Sequence, residues 1–342
     1  MSSLGGDIGY ESQRRGRIAI RLLYGLSVCA IAPSLVSLFA RWWWVADLCC
    51  HFRVQYTAAL FPFVLIAIWL RNWRWFGLIG LVWGWNLLLI SPYLLPRPAV
   101  QDDQATLRLT TANVFVGNPN HQQFLDFIAQ EQPDVMLLLE VGREWKQTLD
   151  ASFPEYPFRI DSLNDPEFKH SGTFDLMLLS KRPLKNGRIL RLGAWKLPVV
   201  TVEIEHLGET IVLYGAHPPP PRGADTTTVR DEILTLLGDE LADVEGPAML
   251  LGDLNITRWS PSFSQLTKTA RLRDASEGFG LHATWPNWLP VPQITIDHVL
   301  ISNAIHVIDY NIGPPIASDH LPVTVEISLS VEARTRESSL PK

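Results

Sequence analysis

Cysteine is nearly absent from this chain. Its 342 residues hold three, Cys29, Cys49 and Cys50, and none follows position 50. A disulfide framework is therefore excluded for the rest, which needs a hydrophobic core of its own. Carboxylates are as scarce at the start. Asp7, Glu11 and Asp47 are the only three in the first hundred residues, which carry 8 of the 13 tryptophans. After Leu95 the missing element is positive charge: 21 Lys and Arg stand against 32 Asp and Glu, a net of −11. That balance argues against a tight, nonspecific binder of nucleic-acid backbone, although a local cleft can still be positive.

Long apolar runs fill the carboxylate-poor start. Ile18 to Ala40 is interrupted only by Arg21, and Val54 to Leu70 and Trp75 to Leu95 follow. Each approaches or exceeds the roughly 17 to 20 residues that span a bilayer as a helix. One cleaved leader cannot explain three such runs. The expectation is a membrane region over 1–96 with transmembrane helices at about 18–40, 54–70 and 75–95. Arg14, Arg15, Arg17 and Arg21 flank the first run, and Arg71 and Arg74 sit in the "RNWR" turn after the second. The positive-inside rule then places the amino terminus in the cytoplasm and everything after the third helix outside the cytoplasmic membrane. Trp42, Trp43 and Trp44 serve as an interfacial anchor.

A proline-rich linker over 97–105 leads to a second region, 106–330, and a polar tail, 331–342. Strand patterns are expected at Thr106–Val116, Asp134–Val141, Phe174–Ser180, Val199–Ile204, Thr210–Ala216, Ala248–Leu251, Thr295–Ile301 and Pro322–Ile327. Helical patterns cover Gln122–Gln130 and Thr227–Leu241. Many strands with few helices fit an α/β sandwich of two sheets covered by helices.

The apolar runs end in unexpected company. "TTANV" holds Asn113, "DVMLLLEV" ends with Glu140, and "TIVLYGAHPPP" leads to His217. "AMLLGDLN" closes on Asp253 and Asn255, "ITIDHVL" embeds Asp297 and His298, and "ASDHLPV" puts Asp319 and His320 before the last strand. A carboxylate beside a core strand is costly unless a cation or hydrogen bonds offset it. Polar residues at strand ends commonly meet at one rim of a sheet. Singly, each has a plain structural reading: Glu140 at the start of a helix near Arg143, His217 as a loop residue, Asp274 in "RLRDAS" as a helix cap.

As a set, these segments resemble the endonuclease/exonuclease/phosphatase superfamily over roughly Leu107 to Ile327. The order N, E, H, G-D-x-N, T-W-P, I-D-H, S-D-H is kept, and "GDLN" with a terminal "SDHLPV" is the specific combination. "GTFDLMLLSKRPL" resembles the family's segment ending in L-S-[KR]-x-P, with Asp175 where a small residue is usual. The resemblance implies a four-layer αββα sandwich of the DNase I type. It also implies a Mg²⁺ or Mn²⁺ site, with Glu140 as ligand and Asp319 and Asn113 as further or alternative ligands, an oxygen set suited to hard cations. His320 would be the general base and Asp297 its orienting partner. Asp253 would align the water, Asn255 would donate to a phosphate oxygen, and His217 would serve another oxygen or the leaving group. Trp285 would pack beneath the catalytic pair.

The expected activity is hydrolysis of phosphodiester bonds on the extracytoplasmic side, nuclease-like in the first instance. The alternatives are a phospholipid-, sphingomyelin- or small-molecule phosphodiesterase or phosphatase, and a noncatalytic sensor of phosphate ligands. The substrate is thus a nucleic acid or a lipid headgroup, and no protein partner is inferable from sequence.

Overall fold

In strand β2, Val135–Leu139, every side chain is buried, on both faces. Val135, Leu137 and Leu139 enter one apolar cluster and Met136 and Leu138 another, the period-2 alternation of a strand covered twice. The computed structural model that shows this describes residues 21, 24–96, 105–164 and 172–329. The start of the first apolar run with Arg14, Arg15 and Arg17, nearly all of the expected linker and the expected tail lie outside the described residues.

The chain divides into two compact units, Met1–Ser91 and Pro92–Lys342. In the first, α1 is Tyr24–Phe39, α2 Trp44–Leu48, α3 Arg53–Trp69, and α4 runs from Trp73 to Leu94, past the unit boundary. Ile31, Leu60, Val64, Ile79 and Val82 form its apolar core. Arg53 is buried and donates to Asn86 Oδ1 at 3.0 Å. Among the described residues only α4 is long and apolar enough to cross a membrane, whereas α1 and α3 are shorter apolar helices. Three spans were expected, so the structure supports one of them. α3 covers the second expected run almost residue for residue, is 17 residues long, and is followed by a turn in which Arg71 takes φ 52°.

The second unit holds two six-stranded sheets. The first contains β1 Leu107–Asn113, β2, β3 Phe158–Asp161, β4 Leu176–Ser180, β11 Ile305–Ile312 and β12 Val323–Leu329, in the order β11-β12-β1-β2-β4-β3. The second contains β5 Leu184–Leu192, β6 Leu197–His206, β7 Glu209–Ala216, β8 Ala248–Asp253, β9 Leu272–Asp274 and β10 Asp297–Ser302, in the order β5-β6-β7-β8-β10-β9. Helices α5 Gln122–Glu131 and α6 Arg143–Ser152 cover the first sheet, and α7 Ala224–Ala242 and α8 Pro261–Thr269 the second. One apolar cluster lies between the sheets and one under each helix pair. These are the four layers of the expected αββα sandwich.

Two parallel pairs set the site. β1 runs parallel to β2 through α5, and β7 parallel to β8 through α7. Their carboxyl ends release Asn113, Glu140, His217 and Asp253. The strand and helix patterns read from sequence all coincide with elements. β3, β5, β9, β11 and α8 were not anticipated. Asp274 is no helix cap: it ends β9, and its Oδ1 accepts from the Ser276 backbone and hydroxyl.

Candidate active site

Asp253 is the hub. Its Oδ1 accepts from Asn255 N at 2.9 Å. Its Oδ2 lies 3.2 Å from Asn113 Nδ2, 3.4 Å from His217 Nε2 and 3.6 Å from His320 Nε2. Asp253 is 1 % exposed, so the donors Asn255 N, Asn113 Nδ2 and His217 Nε2 replace lost hydration. Burial pushes its carboxyl upward, but His320 and His217 outweigh that and hold it below the usual range.

Backbone geometry puts it there. β10 pairs antiparallel with β8 so that Asp297 lies opposite Asp253 and His298 opposite Gly252. Gly252 has φ 141°, and a Cβ on it would stand 2.0 Å from the Ala216 carbonyl. Only glycine lets the end of β8 pass so close to the end of β7. Asn255 and Glu140 take left-handed conformations, φ 50° and 58°, where the chain turns sharply off each strand.

His320 Nδ1 sits 2.9 Å from Asp297 Oδ2, both buried. Burial alone would pull the imidazole down, yet Asp297 and Asp253 prevail and push it up to about 10. On these protein groups alone His320 is therefore protonated at neutral pH, and a cation held in the pocket would draw it back toward the neutral form that a base needs. Burial pulls His217 down as well, and its hydrogen bond to Asp253 reverses this and raises it. The ring of Phe174 stands against His217, centroids 5.6 Å apart. Trp285 packs by His320 at 6.4 Å between centroids, and its Nε1 donates to Asp319 Oδ2 at 2.9 Å.

Glu140 is half-buried, accepting from Asn113 Nδ2 at 3.0 Å and from Val116 N at 3.4 Å. Among the described residues no cation pairs with it, so a half-buried carboxylate at the rim is left with only neutral donors. Such an oxygen fits a hard divalent cation. Asp319 is engaged with Trp285, and no hydrogen bond between it and Glu140 is seen among the described residues. Donor oxygens and nitrogen of Asp253, Asp297 and His320 also lie within 4.8 Å of one another. Asp297 and His320 are already hydrogen-bonded to each other, so the trio is read as an imidazole with its orienting carboxylates.

Several supporting residues escaped sequence reasoning. Ser318 Oγ donates to the Asn113 carbonyl at 2.7 Å and accepts from His320 N at 3.1 Å, tying the S-D-H segment to β1. The serine of that motif was the available signal. Arg230, fully buried on α7, donates to the Asn255 carbonyl at 3.2 Å, and nothing in its sequence context marks it. Asn255 Nδ2 donates to the Pro218 carbonyl at 2.9 Å, which commits part of its amide to the loop after His217. The buried Asp175 carboxylate accepts from Ser162 Oγ at 3.0 Å and Gly172 N at 2.9 Å, clasping the segment that carries Phe174. His298 faces away from the hub: its Nε2 meets the Ile256 carbonyl at 2.8 Å and its Nδ1 lies 3.8 Å from Asp274.

Comparison with known proteins agrees with this geometry. A solved endonuclease/exonuclease/phosphatase from Beutenbergia cavernae is similar at 22 % identity and TM-score 0.51, covering 66 % of this chain and 72 % of that one. TDP2 of D. rerio in complex with a single-strand DNA product is similar at 15 % identity and TM-score 0.55, covering 66 % and 100 %. Sphingomyelinase C from Streptomyces griseocarneus is similar at 17 % identity and TM-score 0.51, covering 65 % and 99 %. At these identities the likeness is one of fold. Among curated proteins none matches the chain in sequence. The model of the Endonuclease/Exonuclease/phosphatase family matches residues 110–320, and the chain belongs to that family of metal-dependent hydrolases of phosphoester bonds.

Proposed function

We propose that the protein hydrolyses phosphodiesters by direct attack of water on phosphorus, from a membrane-anchored position. The observation that carries this reading is the buried Asp297–His320–Asp253 arrangement at 2.9 and 3.6 Å. His320 Nε2 accepts a proton from the water, and Asp297 fixes the tautomer and stabilises the resulting imidazolium. Asp253 orients the water, and Asn255 offers its remaining amide hydrogen to the pocket. A P–O bond forms, the bond to the leaving oxygen breaks, and His217 delivers the proton that oxygen needs. The products are a phosphomonoester and an alcohol. A Mg²⁺ or Mn²⁺ ion held by Glu140, with Asn113 and Asp319 as further oxygen donors, would supply neutralisation of charge developing on the phosphate.

The anchor is inferred from α4 and from the large apolar side chains that α1, α3 and α4 turn outward, among them Leu38, Phe61, Leu65, Leu81 and Leu88. A helix apolar all round fits lipid better than water. With Arg71 and Arg74 in the cytoplasmic turn, the catalytic unit lies on the extracytoplasmic side. Alkaline phosphatase fused after Lys342 should be active in a bacterial host, and a fluorescent protein that matures only in the cytoplasm should stay dark. The reverse pattern would overturn the topology. The chemistry is tested with the full-length protein, Mg²⁺ and bis-p-nitrophenyl phosphate, where no turnover would leave only a phosphate-binding role.

A further inference from the structure

Six large apolar side chains of residues 105–329 are exposed among the described residues, and three of them fall within four positions: Trp288 at 70 %, Leu289 at 41 % and Val291 at 77 %. They occupy the tip of a closed loop. Trp285 and Ile294 bond backbone to backbone in both directions, at 3.0 and 2.7 Å, and form its base. Asn287 N donates to the Asp319 carbonyl at 2.9 Å, and Gln293 Nε2 to the Asn287 carbonyl at 3.3 Å. Pro286, Pro290 and Pro292 restrict the backbone between these ties. The tip is thus held out in a preset shape rather than folded back over a core.

Its position matters as much as its exposure. Trp285 at one end of the base touches His320 and Asp319, and Ile294 at the other precedes Asp297 by three residues. The loop that carries the tip is therefore rooted beside the catalytic pair. From Ala283 to Ile296 the chain carries no charged residue. A groove for single-stranded nucleic acid combines stacking rings with cations that follow the backbone, and the loop supplies no cation. An indole with aliphatic neighbours and prolines suits the boundary between lipid headgroups and acyl chains. A bilayer also presents phosphodiesters and apolar matter side by side.

We propose that residues 286–293 form a wedge that seats the active site on a phospholipid surface, so that the substrate is a phosphodiester in a lipid headgroup. This rests on the hydrolase reading above and deepens it. The test uses full-length protein in mild detergent, below the level that dissolves vesicles, with Mg²⁺. Two rates are compared: release of water-soluble product from vesicles of phosphatidylcholine, phosphatidylglycerol and sphingomyelin, and hydrolysis of bis-p-nitrophenyl phosphate. In W288S/L289S/V291S the ratio of vesicle rate to soluble rate should fall at least about tenfold, because three inserted apolar side chains are lost. Val291→Ser alone should move it the same way, and Trp288→Phe, which keeps an apolar ring, should largely preserve it. An unchanged ratio in the triple variant overturns the wedge. So does a selective loss on a single-stranded oligonucleotide, which would make the loop a base-stacking platform. Wild type that cleaves the soluble ester yet no vesicle lipid overturns the wedge and leaves the hydrolase standing; wild type inert on everything removes the hydrolase reading and the wedge with it.

Discussion

Asp297 and Asp253 are register partners across β10 and β8, so one ladder position delivers both carboxylates that flank His320. The imidazole bridges them, Nδ1 at 2.9 Å from Asp297 and Nε2 at 3.6 Å from Asp253. Coupling of this kind makes the three residues act as a unit. His320→Ala should lower hydrolysis of bis-p-nitrophenyl phosphate by a factor of about 10² to 10⁴. Asp297→Asn should lower it too, and the double variant should lose far less than the two losses summed in free energy. Full additivity would mean that Asp297 does not work through His320.

Glu140 has no cationic partner among the described residues, and its two oxygens take one neutral donor each. Glu140→Gln should therefore fold normally and raise the Mg²⁺ concentration needed for half-maximal rate by about tenfold or more, the typical loss for a carboxylate ligand or its close support. A metal titration of the rate reads this directly. EDTA-resistant hydrolysis by wild type would remove Glu140 from metal binding.

Gly252 offers a sharper structural test. A methyl group there would sit 2.0 Å from a backbone oxygen that cannot swing away, at a φ of 141° that L residues rarely take. Gly252→Ala should cost on the order of 3 kcal/mol or more, measured by urea unfolding, or prevent folding. A variant as stable as wild type would show that β7 and β8 can part at their ends.

Much of this was legible in the sequence, for a physical reason. A strand buried on both faces reads as a continuous apolar run, so Glu140, Asp253 and Asp297 stand out where that run breaks. Short or half-exposed strands give no such signal. β5, with Lys185, Arg188 and Arg191 along it, and three-residue β9 went unread. Two of the apolar runs at the start were legible as helices, Val54–Leu70 and Trp75–Leu95 agreeing with α3 and α4 to within two residues at each end. Least legible were partners joined only by the fold: Arg230 with Asn255, Ser318 with Asn113, and Asp274 with Arg258 and His298.

That last group yields the pH prediction. Asp274 is 2 % exposed, its Oδ2 lies 3.4 Å from Arg258 Nε and 3.8 Å from His298 Nδ1, and its Oδ1 takes the Ser276 hydroxyl at 2.7 Å. Burial raises its carboxyl, but the Arg258 guanidinium, His298 and Ser276 outweigh burial and hold it well below the usual carboxylate range. A folded-state value below the unfolded value means the unfolded chain binds the proton more readily. The stabilisation is thus fully present above the unfolded value of about 3.9 and fades as pH falls from there through the folded value. Asp274→Asn keeps the shape but leaves the Arg258 charge buried without its counterion, a loss of about 3 kcal/mol near neutral pH. Urea unfolding of wild type and variant should show a constant gap from pH 7 to about pH 5 and a narrowing gap below about pH 4. The site residues are not involved, so kcat of the folded variant should stay within a few-fold of wild type. A gap that persists undiminished to pH 2.5 would show that the Asp274 charge contributes nothing, and that Asn at this position fails through packing alone.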